Sequence, residues 1–346
     1  MRKMVLDGLM SMKMIQADKP QIVDSKDVLI RITHVGVCGS DVHYYTTGRI
    51  GSQVVEYPFA VGHEGAGIIE AIGDLVTNVK VGDNVAIDPS TPCLVCDQCM
   101  QGRHHTCRKN IFLGCPGQAE GCLSDYIVMN ENSCVPIPSN MSLEEAALIE
   151  PLSIGVYACK LSQPHKDFTI GILGFGPIGM SVMMAYKAIG ARAFYVTDKI
   201  DARLSAAIQL GAIKTININE LDPIEVVKQE EPLLLDVVFE CCGQQEAVNQ
   251  ALKILKPGGK LMMVGIPEVD KICFDMDLMR RKELCVQNVR RQNNCVQEAI
   301  DLVANGKIQV KNMSTHHFSL EETKKAFDLV HTYQDGVMKA MICFEK

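Results

Sequence analysis

Apolar positions along the chain fall into two kinds of run. Residues 28–37 (VLIRITHVGV) alternate apolar and polar side chains, the period of a strand with one buried face. Residues 121–138 (GCLSDYIVMNENSCVPIP) also have strand character. From 169 onward the apolar runs become continuous: Thr169–Leu173, Ala193–Thr197, LLLDVVFECCG from Leu233 and KLMMVGIP from Lys260. Runs of this kind are buried on both faces of a sheet. Helical stretches separate them, DARLSAAIQLGA with Gly211 as its stop, and AVNQALKILKPGG closed by Pro257 and the Gly258-Gly259 turn. Strand and helix in alternation imply a parallel, doubly wound sheet.

The flanks read differently. SLEEAALIEPLSIGVYACK (142–160) predicts one helix, with Ser142 as N-cap and Glu145 completing a capping box. KICFDMDLMRRKELCVQNV (271–289) predicts extended segments, and residues 295–308 and 320–334 predict two helices that return to the first domain. No internal repeat or low-complexity linker interrupts the 346 residues.

The most informative turn follows Leu173. Gly174, Gly176 and Gly179 stand at G-x-G-x-x-G spacing, with Pro177 and Ile178 between the last two. Gly174 permits the tight turn, Gly176 lets backbone approach a pyrophosphate, and Gly179 lets the next helix pack on its strand. That helix would present free N–H groups to a phosphate. Asp198 closes the second strand 19 residues beyond Gly179, where a carboxylate can accept both ribose hydroxyls of an adenosine. This favours NAD over NADP, whose 2′-phosphate Asp198 would repel, although Arg203 could partly offset the repulsion. The alternative is an ordinary βα turn with no nucleotide.

Three further segments carry candidate chemistry. Cys38-Gly-Ser40-Asp-Val-His43-Tyr44 offers a thiolate, hydroxyl, carboxylate and imidazole in one short stretch. Gly62-His63-Glu64-Gly65 sets an imidazole beside a carboxylate, and glycines allow the bend both need to face one ion. Cys38, His63 and Glu64 would make a three-ligand zinc site with an open fourth position; the alternative is a helix-start Glu beside a buried, hydrogen-bonded His. Cys93, Cys96, Cys99 and Cys107, spaced C-x2-C-x2-C-x7-C, are enough to saturate a structural zinc. His104 and His105 inside that lobe are expected at the surface. Glu150, in an apolar segment just before Pro151, needs a partner, a hydrogen bond or a nearby cation.

Composition narrows the function classes. A net charge of −7 with no basic block argues against nucleic acid. No apolar window of membrane-spanning length is free of glycine, Pro177 or charge. The opening MRKMVLDGLMSMKM is broken by Asp7 and Lys13, unlike a signal peptide, so a cytoplasmic location is expected, and fifteen cysteines fit a reducing compartment.

Together these motifs resemble the zinc-dependent medium-chain dehydrogenases, in the polyol branch of sorbitol (L-iditol) and xylitol dehydrogenases. The resemblance covers essentially the whole chain and rests on the segment Cys38 to Tyr44, Gly62-His63-Glu64, the four-cysteine lobe, Ile149-Glu150-Pro151-Leu152 and Gly174 to Asp198. It implies an α/β protein: a GroES-like, mostly β catalytic domain (1–151 and 286–346, with the zinc lobe at 90–110) and a Rossmann NAD-binding domain (152–285). It implies one catalytic zinc on Cys38, His63 and Glu64, with Glu150 as a further ligand or a partner of the bound water, and one structural zinc on Cys93, Cys96, Cys99 and Cys107.

Ser40 and His43 would relay a proton, and Tyr44 and Glu150 would meet the substrate. Arg291 would do so too, at the family's FRYxN position, unless the match slips onto Arg290; Arg290 and Gln292 here replace the Phe and Tyr of that motif. The implied activity is NAD-dependent oxidation of a polyol to a ketose by a homotetramer or homodimer, with strand pairing near 262–276 as the dimer seam. L-Threonine 3-dehydrogenase or another secondary-alcohol or diol dehydrogenase is the alternative within the enzymes. Outside them it is an NAD(H)-binding protein without turnover.

Overall fold

The computed structural model describes residues 1–344. The chain divides into two compact units, Met1–Glu150 with the chain from Val296 on, and Pro151–Cys295. In the first, the alternating run forms the strand Asp27–Gly36, which sits inside a seven-stranded sheet. Glu64–Ile72 pairs antiparallel with it on one side and Lys339–Cys343 on the other. Its inward positions Val28, Ile30, Ile32 and Val35 join Ile69, Val85, Ile87 and Ile342 in the buried core.

One end of this sheet is where chemistry collects. Gly36 pairs with Glu64 and with Met341, and Val37 N–H donates to Ala340 O at 2.9 Å. The chain then turns at Cys38 into the helix Gly39–Thr47. The ends of three neighbouring strands thereby bring Cys38, Glu64 and Lys339 together. The cysteine lobe is an excursion whose neck is the short pairing of Ser90–Thr91 with Ile111–Phe112.

The second unit has six parallel strands in the order 214–217, 193–198, 169–173, 235–240, 255–263 and 285–288. Numbered along this unit they run 3-2-1-4-5-6, the dinucleotide-fold order with its switch point between Thr169–Leu173 and Leu235–Glu240. The expected boundary at 285/286 falls inside the strand Cys285–Asn288, which pairs with Leu255–Met263, so the chain leaves this unit later. Cys285–Asn288 is also the outermost strand. Residues 262–263 lie in an interior strand, and the free edge of the sheet is not at 262–276.

Three expectations of local structure are corrected. The helix read as ending at Pro257 stops at Ile254, and Leu255 already pairs with Leu235; the shift in register after it accommodates Pro257 and Gly258, whose φ is 76°. Residues 142–160 form two helices, Leu143–Ala147 and Ile149–Leu161, because a proline is accepted only in a first turn and Pro151 requires a new start. The Ser142–Glu145 capping box is present. Within the stretch read as extended, Met276–Lys282 is helical. Asp275 caps it through Leu278 N–H at 3.0 Å, and Arg281 pairs with Asp277 one turn back at 2.7 Å.

Candidate metal centres and the glycine turn

Cys38, His63 and Glu64 present ligand atoms that all lie within 4.8 Å of one another. The bend that sequence required is at Gly62, whose φ of 100° is left-handed. It lets His63 turn in before Glu64 opens the strand Glu64–Ile72. Both side chains are buried. Gly36 makes room for the carboxylate: a Cβ there would stand 2.2 Å from Glu64 Oε2.

Asp41, fully buried, organises this cluster from behind. Its Oδ1 lies 3.3 Å from His63 Nδ1 and accepts Gly62 N–H at 3.2 Å, and its Oδ2 accepts Cys38 N–H at 3.3 Å. Burial opposes a charge on His63, but Asp41 and Cys38 outweigh it and hold the imidazole's pKa well above its ordinary value. Lys339, also fully buried, donates to Glu64 Oε1 at 2.7 Å and to Val37 O at 3.1 Å. Glu64 Oε2 has no hydrogen-bond partner among the described residues. A half-buried thiol, a buried and oriented imidazole and a buried, half-satisfied carboxylate fit a zinc ion of three protein ligands.

The other predicted site residues divide by position. Ser40 Oγ donates to Cys38 Sγ at 3.3 Å. Glu150 is buried; burial pushes its carboxyl up to about 7, with Glu64 adding to the rise and His63 and Lys339 opposing it. Tyr44 is buried, and its hydroxyl donates to Gln53 Oε1 at 3.1 Å, while Gln53 Nε2 donates to Cys115 Sγ at 2.8 Å. His43 sits half-buried further along the helix Gly39–Thr47. Arg291 belongs to the second unit, half-buried with a left-handed φ of 53°, whereas Arg290 is exposed. Asp41, Lys339, Gly36 and Gln53 had no assigned role in the sequence. Asp41 alone carried a local signal, since it lies within the Cys38 segment.

In the lobe, sulfur–sulfur distances are 3.6 Å for Cys96–Cys99, 3.8 Å for Cys96–Cys107 and 3.5 Å for Cys93–Cys107. Four sulfurs at ~2.3 Å from a tetrahedral zinc stand ~3.8 Å apart, so the cluster fits that ion. The backbone N–H groups of Arg108 and Cys99 pull the Cys96 thiol down to about 6, which favours the thiolate a metal needs. His105 is buried, contrary to the surface position expected, and His104 is half-buried.

The glycine turn behaves as its spacing requires. Gly174 has φ 91°, its N–H donates to Thr197 O at 2.9 Å, and a Cβ on Gly179 would stand 2.2 Å from Gly174 O. Gly176 caps the helix Pro177–Ile189. A Cβ there would meet only Arg203, with Nη1 at 3.5 Å, so the protein itself leaves room for a side chain. The space fits a pyrophosphate at the helix N-terminus. Asp198 Oδ2 accepts Phe175 N–H at 2.6 Å, and Oδ1 accepts Lys199 and Ile200 N–H at 2.8 and 3.0 Å. Of about four lone-pair positions, one is then left for a ribose hydroxyl, fewer than the two expected from sequence. Arg203, buried, lies over Gly176.

The chain matches two family models, an alcohol dehydrogenase GroES-like domain over residues 24–139 and a zinc-binding dehydrogenase over residues 177–305. It is 38% identical over 321 residues to sorbitol dehydrogenase of Bacillus subtilis, covering 92% of this chain and 91% of that protein. It is 33% identical over 329 residues to D-xylulose reductase A of Aspergillus oryzae, covering 93% and 91%. Among solved structures, a short chain alcohol dehydrogenase from Escherichia coli in complex with cofactor NADH is similar, with a TM-score of 0.90, 26% identity and 99% of both chains covered.

Proposed function

Because the chain belongs to the zinc-dependent medium-chain dehydrogenases, we propose that it oxidises a polyol of the sorbitol, xylitol or L-iditol type to a ketose, with NAD⁺ as hydride acceptor. The observation that carries this reading is the convergence of Cys38, His63 and Glu64 within 4.8 Å. The NADH-bound relative and the open space over Gly176 support the cofactor.

These three residues would hold the zinc, which when bound supplies a Lewis acid that lowers the pKa of a bound hydroxyl towards neutrality. Bound NAD⁺ supplies the acceptor for the carbinol hydride. The chain's own groups do the rest. Asp41 keeps His63 in one tautomer and leaves Nε2 for the metal. The Ser40 hydroxyl and the His43 ring carry the proton that the substrate hydroxyl gives up, or Glu150, whose carboxyl burial pushes up, takes it. Tyr44 and Arg291 bind the distal hydroxyls, and Gln53 fixes the direction of the Tyr44 hydroxyl.

In the second unit, Asp198 and Arg203 orient the adenosine and phosphates over Gly174, Gly176, Pro177, Ile178 and Gly179. Cys93, Cys96, Cys99 and Cys107 hold a second zinc that cross-links the lobe. Among the described residues no disulfide joins the cysteines, which suits a reducing cytoplasm, and a homotetramer or homodimer completes the reading. Among the described residues no helix is long and apolar enough to cross a membrane.

Initial rates of NAD⁺ reduction with sorbitol, xylitol, L-threonine and 2,3-butanediol test the substrate class. The reading predicts turnover with a polyol. Turnover with threonine or the diol alone would overturn it while leaving the dehydrogenase family in place, and no turnover with any of them would point to an NAD(H)-binding protein.

A further inference from the structure

Lys339 opens the strand Lys339–Cys343, and its side chain is 1% exposed, so its ammonium is as buried as Glu64. A lysine buried this deeply is costly unless paired, and an ion pair in such a place gives little net stability over apolar residues of similar size. Stability therefore does not explain why it is there. Its placement is specific. Nζ takes Glu64 Oε1 at 2.7 Å and Val37 O at 3.1 Å, one residue before Cys38. The other oxygen, Oε2, has no hydrogen-bond partner among the described residues and occupies the space over Gly36, where a Cβ would stand 2.2 Å away. The carboxylate is thus divided, with one oxygen held by a fixed cation and the other free.

We infer that Lys339 is a positioning residue that sets how Glu64 meets the metal: it retains Oε1, leaves Oε2 as the single donor oxygen, and makes Glu64 the most exchangeable of the three protein ligands. This rests on the reading of Cys38, His63 and Glu64 as a metal site. A carboxylate already neutralised by an ammonium is a weaker donor than a free one, and one whose second oxygen is engaged cannot chelate. Glu64 would then yield to an incoming oxygen ligand more readily than Cys38 or His63.

Two substitutions separate this from a packing role because they move Glu64 in opposite directions. Lys339→Met fills the same space and releases Oε1, so Glu64 chelates and binds harder. Lys339→Arg offers a planar fork that takes both oxygens and draws the carboxylate away. The readouts are the rate at which a chelator removes metal from the site, taken as the phase missing in Cys38→Ser, and the visible spectrum of the cobalt-substituted protein. Release slowed on the order of tenfold in Lys339→Met and accelerated on the order of tenfold in Lys339→Arg is the expected result, the size being that of other outer ligand partners.

The cobalt spectrum weakens in Lys339→Met as coordination number rises. Rates that shift in the same direction in both variants, or in neither, overturn the proposal. Should Lys339→Met fail to fold, Lys339→Arg decides alone: faster release supports the proposal, and unchanged or slower release overturns it. A wild-type protein that binds metal only in the four-cysteine lobe would instead remove the metal reading itself, and the proposal with it.

Discussion

Asp41 Oδ1 lies 3.3 Å from His63 Nδ1, with both side chains buried and the same carboxylate also receiving the backbone N–H groups of Gly62 and Cys38. One side chain therefore holds the orientation of the histidine and the backbone of both turns that carry ligands. Asp41→Asn keeps the size and loses the charge that fixes the Nδ1 proton. Metal affinity at this site should fall by about 10- to 100-fold, as for other partners of ligating histidines. Competition with a graded chelator measures it, and an unchanged affinity would remove Asp41 from the site's support.

Gly36→Ala tests the space that Glu64 occupies. The new methyl would stand 2.2 Å from Glu64 Oε2, and Gly36 already pairs in regular strand geometry, so the side chain must move rather than the backbone. Metal content should drop from about two to about one per chain while the lobe keeps its ion. Elemental analysis of the purified variant decides this, and two retained equivalents would contradict it.

Gly176→Ala separates fold from cofactor. A Cβ there meets only Arg203 at 3.5 Å, which is ordinary contact, so the melting temperature should not change. NAD⁺ binding should weaken on the order of tenfold or more, because the methyl takes the pyrophosphate's approach to the helix N-terminus. A calorimetric titration and a thermal melt on the same sample provide both numbers.

In the second unit, burial works against the Asp236 carboxylate, but hydrogen bonds from Lys256 and from Thr169 N–H and Oγ1, the latter two at 2.8 Å, hold it below the usual carboxylate range. A depressed folded pKa contributes stability above the unfolded value of about 3.9 and loses it as pH falls through the folded value. Asp236→Asn should cost about 1 kcal/mol at neutral pH, the partly exposed Lys256 limiting the effect. Denaturant melts should show that difference shrinking below about pH 4. A difference that is constant with pH would mean the charge is not what matters.

The parts of this molecule legible in sequence are those whose chemistry is local. Thr169–Leu173 is a strand with the predicted ends, and Gly174, Gly176 and Gly179 do what their spacing implies, because strand, turn and helix are contiguous. The lobe thiols gather for the same reason. Lys339 was not legible: it reaches Glu64 across 275 positions of chain, and nothing in KAMIC distinguishes a buried lysine from an exposed one. Gly36 reads as one glycine among 27 until the register sets it opposite Glu64. The helix Met276–Lys282 fully buries no residue; Leu278 and Met279 alone pack on the core, partly buried, too short a stripe to announce a helix, and a cap and ion pairs support the rest.

The central claim is that the ion held by Cys38, His63 and Glu64 is the one turnover requires. Chelator titration of the native protein, following bound metal and NAD⁺-dependent polyol oxidation in the same samples, tests it most directly. The account predicts that activity disappears in step with one metal equivalent, apart from the lobe's, and returns when zinc is restored. Activity that persists after that equivalent has left would contradict it.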